Sequence, residues 1–258
     1  MTVKRDNKPL ETGNIYQGDC LDLMQYIPDK SIDMILCDLP YGTTACKWDT
    51  IIPLEPLWKQ YKRIIKDNAA IVLTASQPFT GVLVTSNLKM FRYEWIWHKD
   101  KGGNIAILKY QPSKVHESVL LFSKLSHLYN PQMELRPKKN KRKNKPRINK
   151  AGIQGNKKFY IEHSKGMDDF KYPTSVKQFD VVRNGLHPTQ KPIPLFEYLI
   201  KTYTNEGDLV LDNCIGSGTT AIAAMNTNRQ WIGIEKDGHY CEVARKRIEE
   251  ALKQGRLF

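Results

Sequence analysis

Hydrophobic positions outside the middle of the chain alternate between short apolar runs and stretches with helical spacing. The run at 32–37, Ile-Asp-Met-Ile-Leu-Cys, predicts a buried strand. An amphipathic helix that Asn68 can end is predicted next, because apolar side chains recur at intervals of three and four at Leu54, Leu57, Trp58, Tyr61, Ile64 and Ile65.

The same two patterns recur along the rest of the chain. Further strands are predicted at 14–17, 69–75, 91–98, 117–123, 208–212 and 230–235. Helical spacing is found at 20–27, at 195–203 after two prolines, at 219–225 and from residue 239 onward. Strands that alternate with helices are typical of an α/β sheet with helices packed on its faces.

Composition narrows the class of protein. The 258 residues suit one large domain, or one with an inserted subdomain. Since no apolar run approaches the ~20 residues that span a bilayer, and the N-terminus lacks an apolar signal segment, we expect a cytoplasmic protein without a membrane span. The five cysteines lack C-x-x-C spacing and the six histidines are scattered, so neither disulfides nor a metal site is indicated.

The positive charge is concentrated in one segment. Of the net charge of +13, residues 124–185 carry +11, from 16 Lys+Arg against 5 Asp+Glu. Lys138 to Lys150 has eight cations and no acid. A solvated loop is one interpretation of this run. Contact with the phosphates of a nucleic acid is the other, and the aromatic residues interleaved in the segment favour a partly folded module.

A glycine-rich turn follows the predicted strand 208–212. Gly216 and Gly218 allow a sharp turn and the close approach of a ligand, and Glu235, nineteen residues after Gly216, ends the next strand, where an acid can bind ribose hydroxyls. The spacing also fits a relaxed dinucleotide fingerprint, so a nicotinamide or flavin enzyme is an alternative, as is a turn that only packs a helix on a strand.

Two features argue against a dinucleotide site. Only 23 residues follow Glu235, which is too few for further βα units, so strands that precede the glycine turn must complete the sheet. Asp212 adds a negative charge that a pyrophosphate would disfavour. A cationic or amine-bearing cofactor would suit this carboxylate.

A second turn, Asp38-Leu39-Pro40-Tyr41-Gly42, follows the apolar strand at 32–37. Open α/β sheets bind ligands at the carboxyl ends of their strands. The carboxylate and nearby carbonyls could accept hydrogen bonds from an exocyclic amine while the Tyr41 ring stacks on a planar base, and Pro40 would fix the backbone. A proline-glycine turn with a surface tyrosine is the structural alternative.

These residues resemble those of the amino-methylating, S-adenosylmethionine-dependent DNA methyltransferases of the permuted beta class. Asp38-Leu39-Pro40-Tyr41 is similar to the D-P-P-Y motif, and residues 212–220, DNCIGSGTT, to the cofactor loop D-P-F-x-G-S-G-T-T. Residues 187–192, HPTQKP, are similar to H-P-T-x-K-P. The three motifs occur in the order that defines the class, and the resemblance covers about residues 14–123 and 186–250.

The resemblance implies a Rossmann-like α/β sheet with a circularly permuted motif order and an inserted basic target-recognition segment. Residues 1–123 would form the catalytic half, 124–185 the insertion and 186–258 the cofactor-binding half. Two departures stand out. Leu39 replaces the first proline of D-P-P-Y, and Asn213-Cys214 replaces Pro-Phe, which removes an apolar wall beside the cofactor.

Roles for individual residues follow from the resemblance. Asp19, with Cys20 beside it, would approach the cofactor adenine, Glu235 the ribose, and Lys191 the carboxylate. The cofactor contacts also include Thr189, Asp212, Asn213, Cys214, Gly216, Ser217, Gly218 and Thr219. Catalysis would fall to Asp38, Leu39, Pro40 and Tyr41, acting on a base flipped out of the duplex. Phosphate contacts would come from Lys138, Lys139, Lys141, Arg142, Lys143, Lys145 and Arg147.

The expected activity is sequence-specific methyl transfer to N6 of adenine in double-stranded DNA. A cytosine-N4 enzyme is an alternative, although Ser more often heads the motif there. An RNA or protein methyltransferase and a noncatalytic DNA-binding relative are further alternatives. The resemblance suits a prokaryotic or phage-encoded, nucleoid-associated protein, and leaves room for a homodimer and a restriction endonuclease partner.

Overall fold

The computed structural model describes residues 8–43, 49–136, 169–183 and 189–255. Its contacts divide the chain into two compact units. One comprises Met1–Asn130 and Ser175–Phe258, and the other is Pro131–Thr174, which falls within the predicted insertion. In the smaller unit, Glu134–Leu135 pairs with Phe170–Lys171 as a short antiparallel ladder.

Within the described residues, the larger unit contains an eight-stranded sheet. Numbering includes the short ladder as β6 and β7, and the sheet strands are β1 (Asn14–Gln17), β2 (Ile32–Asp38), β3 (Ile65–Ala75), β4 (Phe91–His98), β5 (His116–Phe122), β8 (Val176–Gln178), β9 (Leu209–Asp212) and β10 (Gln230–Glu235). Their order is β1-β10-β9-β2-β3-β5-β4-β8. β5 is antiparallel to both neighbours, so the other strands run in one direction.

Helices cover both faces of this sheet. They are α1 (Cys20–Leu23), α2 (Leu54–Ile64), α3 (Phe79–Ser86), α4 (Ile193–Tyr203), α5 (Thr219–Asn226) and α6 (Gly238–Gly255). One buried cluster joins α1–α3 to side chains such as Ile35 and Cys37 of β2. The other joins α4–α6 to the alternate positions Met34 and Leu36. The alternation of β2 therefore divides the core into two layers, as expected for a strand buried on both faces.

The predicted end of α2 is wrong. The helix ends at Ile64 and β3 begins at Ile65, so Asn68 lies inside the strand rather than at the helix end. Ile65 pairs with Ile32 across a register shift in β2, and Lys66 forms a 2.6 Å ion pair with Asp33. Pairing between strands thus overrides the local helical pattern. The pattern also gave no sign of α3, whose sequence FTGVLVTS has β-branched residues and a glycine.

The fold brings acidic residues to one edge of the sheet. β1, β10, β9 and β2 are parallel neighbours, and Asp19, Glu235, Asp212 and Asp38 lie at or just beyond their carboxyl ends. The amino end of the antiparallel β5, with Glu117, faces the same edge. We name this the carboxyl edge. Among the described residues, none of the helices is long and apolar enough to cross a membrane.

Candidate active site

Asp38 ends β2, and donors surround its carboxylate. Oδ1 accepts hydrogen bonds from the Tyr41 hydroxyl at 2.8 Å and from the Thr74 hydroxyl of β3. Oδ2 accepts from Lys191 Nζ at 2.6 Å. A carboxylate has about four lone-pair positions, so the three donors leave one position of Oδ2 open. The Asp38 side chain is 21 % exposed, and an incoming amine could reach that position.

Lys191 is shared between two carboxylates. Its side chain is 6 % exposed, and its Nζ lies 3.6 Å from Oε2 of Glu117, an ion-pair distance too long for a hydrogen bond. Burial would lower the pKa of Lys191, but Asp38 and Glu117 outweigh it and raise that pKa. Lys191 therefore stays a cation beside Asp38.

Glu117 completes a row of alternating charges. Its Oε1 pairs with Lys99, which directly follows β4, so the order is Asp38, Lys191, Glu117, Lys99. Burial would raise the pKa of Glu117, but Lys191 and Lys99 lower it overall. Glu117 Oε2 is nevertheless a buried oxygen without a hydrogen-bond donor among the described residues. Such an atom is costly unless a ligand satisfies it.

The turn after Asp38 is held by contacts outside the motif. Asp49 accepts hydrogen bonds from the backbone N–H groups of Gly42 and Thr43, both at 2.9 Å. Gly42 has φ +67°, and a Cβ there would lie 2.9 Å from Ile51 Cγ1, so glycine is required. The Tyr41 ring stacks on Phe79 at 5.4 Å between centroids.

The glycine-rich loop lies between β9 and α5. Gly216 and Gly218 have φ of +51° and +85°, in the left-handed region. Gly216 N donates to Glu235 Oε2 at 2.9 Å, which joins the loop to the end of β10. From α6, Arg247 donates to Ser217 O at 3.0 Å and to Thr219 Oγ1 at 3.1 Å.

Asp212 lies beneath that loop and is only 3 % exposed. Its Oδ1 accepts from Cys214 N at 3.0 Å, and its Oδ2 accepts from the Thr220 hydroxyl. Burial raises the pKa of Asp212 to about 7, against the opposing effect of these donors. Its carboxylate thus has neutral donors where Asp38 has a cation.

A model of the DNA methylase family, N6 and N4 type, matches residues 32–246. The chain belongs to this family. It is therefore a DNA methyltransferase, and the predictions of that enzyme class and of a Rossmann-like α/β fold are confirmed.

Relatives of similar sequence are also named as methyltransferases. The chain is 28 % identical over 265 residues to the type II methyltransferase M2.MboI of Moraxella bovis, with 92 % of this chain and 88 % of the relative covered. It is 28 % identical over 262 residues to the DNA adenine methyltransferase YhdJ of Escherichia coli K12, with 93 % and 84 % covered.

Solved structures share the fold. The M1.HpyAVI–SAM complex has a TM-score of 0.61 at 24 % identity, with 91 % of this chain and 98 % of that chain covered. The cytosine-N4-specific PvuII DNA methyltransferase has a TM-score of 0.64 at 18 % identity, with 93 % and 87 % covered.

The fold of the methyltransferase places the predicted site residues in two groups. Asp38, Lys191 and the Thr189 carbonyl meet in the first, where Lys191 Nζ lies 3.5 Å from Thr189 O. Leu39 is 3 % exposed and packs in the core. Pro40 is the next residue of the turn. Lys191 O accepts from Thr219 Oγ1 at 3.3 Å, and this bond links the first group to the glycine loop.

The second group surrounds the glycine loop. Asp19 caps α1 through Leu21 N at 3.0 Å and forms a 3.1 Å ion pair with Lys236, which follows β10. Asn213 is 1 % exposed and accepts a 2.6 Å hydrogen bond from Tyr61 of α2. Asn213 and Cys214, which depart from the family motif, therefore pack among polar and thiol groups. The thiols of Cys20 and Cys37 both lie beside that of Cys214.

Several predicted residues lie outside the described residues. These are His187 and Pro188 and all seven predicted phosphate contacts, Lys138, Lys139, Lys141, Arg142, Lys143, Lys145 and Arg147.

Sequence reasoning missed Thr74, Glu117, Lys99, Asp49 and Arg247. Asp49 lies in the same connection between β2 and α2 as the turn that it holds, whereas strand pairing or helix packing brings the other four to the residues that they contact. A signal was available for Glu117 and Lys99, because charged residues that border strands with buried apolar runs must find partners.

Proposed function

We propose that the protein transfers a methyl group from S-adenosylmethionine to N6 of adenine in double-stranded DNA, at a specific sequence. The observation that carries this proposal is the Asp38 carboxylate, which has one open acceptor position at the carboxyl edge beside a glycine-rich loop. The adenine methyltransferase YhdJ among the relatives supports adenine.

The residues at the carboxyl edge fit this cofactor. A sulfonium, an amine and two ribose hydroxyls suit a row of carboxylates better than a pyrophosphate does. In the proposal, Asp19 and Cys20 lie towards the adenine, Glu235 towards the ribose and the Gly216–Thr219 loop towards the methionine part. Bound there, the cofactor supplies an electrophilic methyl group.

Asp212 has a supporting part in this scheme. Both its oxygens accept hydrogen bonds from the loop and α5, so it shapes the loop from beneath. Glu235 does the same from β10 while its own pKa is raised by burial against two backbone donors. Lys191 was predicted to bind the cofactor carboxylate. Because Lys191 also donates a hydrogen bond to Asp38, we assign it a second role, which is to orient the catalytic acid.

The target amine would be bound by Asp38 and the turn. Its lone pair is delocalised into the base, and hydrogen bonds from its N–H groups to Asp38 Oδ2 and the Leu39 carbonyl favour the nucleophilic form. Since the Asp38 carboxylate is fixed by Tyr41, Thr74 and Lys191, it needs little reorganisation as positive charge develops on the nitrogen. The nitrogen then loses its proton towards Asp38. The base must first leave the duplex, and the Tyr41 ring is the proposed stacking partner.

Duplex binding is proposed for the basic region 124–185, with seven of the eight cations between Lys138 and Lys150 on phosphates. A homodimer, a restriction endonuclease partner and a cytoplasmic, nucleoid-associated location also belong to this proposal. Cytosine-N4 remains the second candidate base, because the cytosine-N4-specific PvuII enzyme has the same fold.

The test is the identity of the methylated base. DNA from cells that express the protein is digested and its nucleosides are measured by mass spectrometry, with Asp38→Ala as control. N6-methyladenine that depends on Asp38 is the expected result, and modified-base sequencing of the same DNA gives the recognition sequence. N4-methylcytosine alone would exclude adenine, and no methylated base from an active, folded preparation would contradict the proposal.

A further inference from the structure

An exposed apolar tip stands at the carboxyl edge. Residues 99–115 connect the end of β4 to the start of β5, and both of these ends face the edge that carries Asp38. At the tip of this connection, Ile107, Leu108 and Tyr110 are 43 %, 48 % and 86 % exposed. Tyr110 has the most exposed large hydrophobic side chain of the described residues. We name Ile107–Tyr110 the apolar tip.

The tip is held in place by its own loop. Asn104 bonds to the opposite leg twice, from its Nδ2 to Pro112 O at 3.0 Å and through its Oδ1 from Lys114 N at 2.7 Å. Tyr110 N donates to Ile107 O at 3.0 Å, which closes a turn at the tip. Apolar side chains held in solvent by a formed turn indicate a surface that meets a partner.

The loop is anchored to the catalytic region. Lys114 Nζ lies 3.4 Å from Gln77 O, just after β3, the strand that supplies Thr74 to Asp38. Lys99, at the base of the loop, pairs with Glu117. Since β2 and β4 are three strands apart in the sheet order, the base of the loop lies about 14 Å from Asp38 across the edge.

The charge of the loop suits a polyanion. Lys101 and Lys109 are exposed beside the tip. Asp100 is the single acid in 99–115, and it accepts hydrogen bonds from Val181 N at 2.8 Å and from Arg183 at 3.2 Å. An apolar tip flanked by lysines is complementary to a DNA helix, in which phosphates border a stack of apolar base faces.

We propose that the apolar tip enters the DNA helix next to the target base, with Tyr110 on the bases that remain stacked. This inference rests on the proposed function, because an exocyclic amine is reached only after the base leaves the helix. Extrusion opens a gap in the stack, and an apolar or aromatic wedge in that gap stabilises the opened helix. The tip thereby acts on base extrusion, while Asp38 acts on methyl transfer.

The test compares a paired target with one that is already unpaired. The variant carries Leu108→Ala and Tyr110→Ala, and its control carries Leu88→Ala, a leucine 63 % exposed that precedes the amino end of β4 on the opposite edge. The substrates are two duplexes that carry the recognition sequence given by modified-base sequencing, one fully paired and one with a mismatch opposite the target base.

On the paired duplex, kcat/KM of the double variant should fall about tenfold or more, since one base–aromatic stack is lost. On the mismatched duplex the loss should shrink to within about threefold, because the base is already unstacked. Leu88→Ala should match the wild type on both. With 2-aminopurine at the target position, the fluorescence increase on binding should be smaller for the double variant.

Equal losses on the two duplexes, or no loss, would overturn the wedge. A wild-type dimer in solution that the double variant converts to monomer, with kcat/KM unchanged, would assign the tip to a second copy of the chain instead. Failure of the proposed function would look different, because the wild type would then methylate neither duplex.

Discussion

Asp38 and Asp212 end neighbouring parallel strands at the same edge, and their surroundings differ in charge. Asp38 bonds to the Lys191 ammonium and is part of a row of four charges. Asp212 bonds to a hydroxyl and a backbone N–H, and burial raises its pKa to about 7. A cation keeps the first carboxylate available as an acceptor, whereas neutral donors make the second a support for the glycine loop. Position at the strand end therefore does not decide the role of an acid, and its partners do.

The largest effect is expected from removing the cation at Asp38. Lys191→Gln removes a buried cation from between two half-buried carboxylates, Asp38 and Glu117, and should lower the free energy of unfolding by about 3–5 kcal/mol. The matched control is Lys236→Gln, since the Lys236–Asp19 pair is 80 % and 40 % exposed and its loss should cost at most about 1 kcal/mol. Urea denaturation of both variants measures the difference. Equal costs would mean that the Lys191 pair is as solvated as the surface pair.

A smaller effect is expected from Glu117→Gln, and it should depend on pH. Glu117 and Asp38 together raise the pKa of Lys191 above its usual value. The variant removes one of these anions, so Lys191 should lose its proton at a lower pH than in the wild type, and the fall of kcat at alkaline pH should begin at a lower pH in the variant.

The double variant Glu117→Gln, Lys99→Gln is the control for folding, because it also removes Lys99, the cation that Glu117→Gln alone leaves without its carboxylate partner. The free energy of unfolding of this double variant should be close to that of the wild type. Its kcat should still be lost at high pH to the same extent as in Glu117→Gln. If the double variant recovers the wild-type pH profile, Glu117 has only a structural part.

The pH dependence of stability should distinguish Asp212 from the other carboxylates. Its folded pKa of about 7 lies above the ordinary value of 3.8, so ionisation of Asp212 opposes folding. The stability that protonated Asp212 contributes is fully present below the unfolded pKa of 3.8 and is lost as pH rises to about 7. The free energy of unfolding of Asp212→Asn, relative to wild type, should therefore rise between about pH 4 and pH 7. A constant difference over that range would show that Asp212 ionises normally.

The smallest effect is expected from Tyr41→Phe. The ring and its stacking on Phe79 are kept, while Asp38 Oδ1 loses one of its two hydroxyl donors. A single hydrogen bond is worth about 0.5–1.5 kcal/mol, so kcat should fall by roughly 3- to 10-fold. Tyr41→Ala should lose more, because the proposed base-stacking surface is removed. Steady-state rates on one duplex compare the two, and equal losses would assign the effect to the hydroxyl alone.

Positions that depend on local sequence were predictable. Runs such as 32–37 predict buried strands, and an acid or a glycine turn directly after a strand predicts a position at the carboxyl edge, where the structure has Asp38, Gly216 and Glu235. The partners of these residues come from distant segments: Lys191 is 153 positions from Asp38, and Tyr61 is 152 from Asn213. Such pairs depend on the sheet order, which periodicity does not encode. The predicted end of α2 was wrong for the same reason, because the helix ends where Ile65 pairs with Ile32 of β2.

The most direct test compares methyl transfer by two single variants, Asp38→Asn and Asp212→Asn. It asks whether Asp38 acts on the target amine while Asp212 only supports the glycine loop. Both changes replace one carboxylate by an isosteric amide at the end of neighbouring strands. Single-turnover transfer of a tritiated methyl group to duplex DNA, at saturating S-adenosylmethionine and pH 7.5, should fall by about 10³-fold in Asp38→Asn, with cofactor affinity within about tenfold. Asp212→Asn should keep methyl transfer within about tenfold of the wild type. Comparable transfer rates in the two variants, or an active Asp38→Asn, would contradict the account.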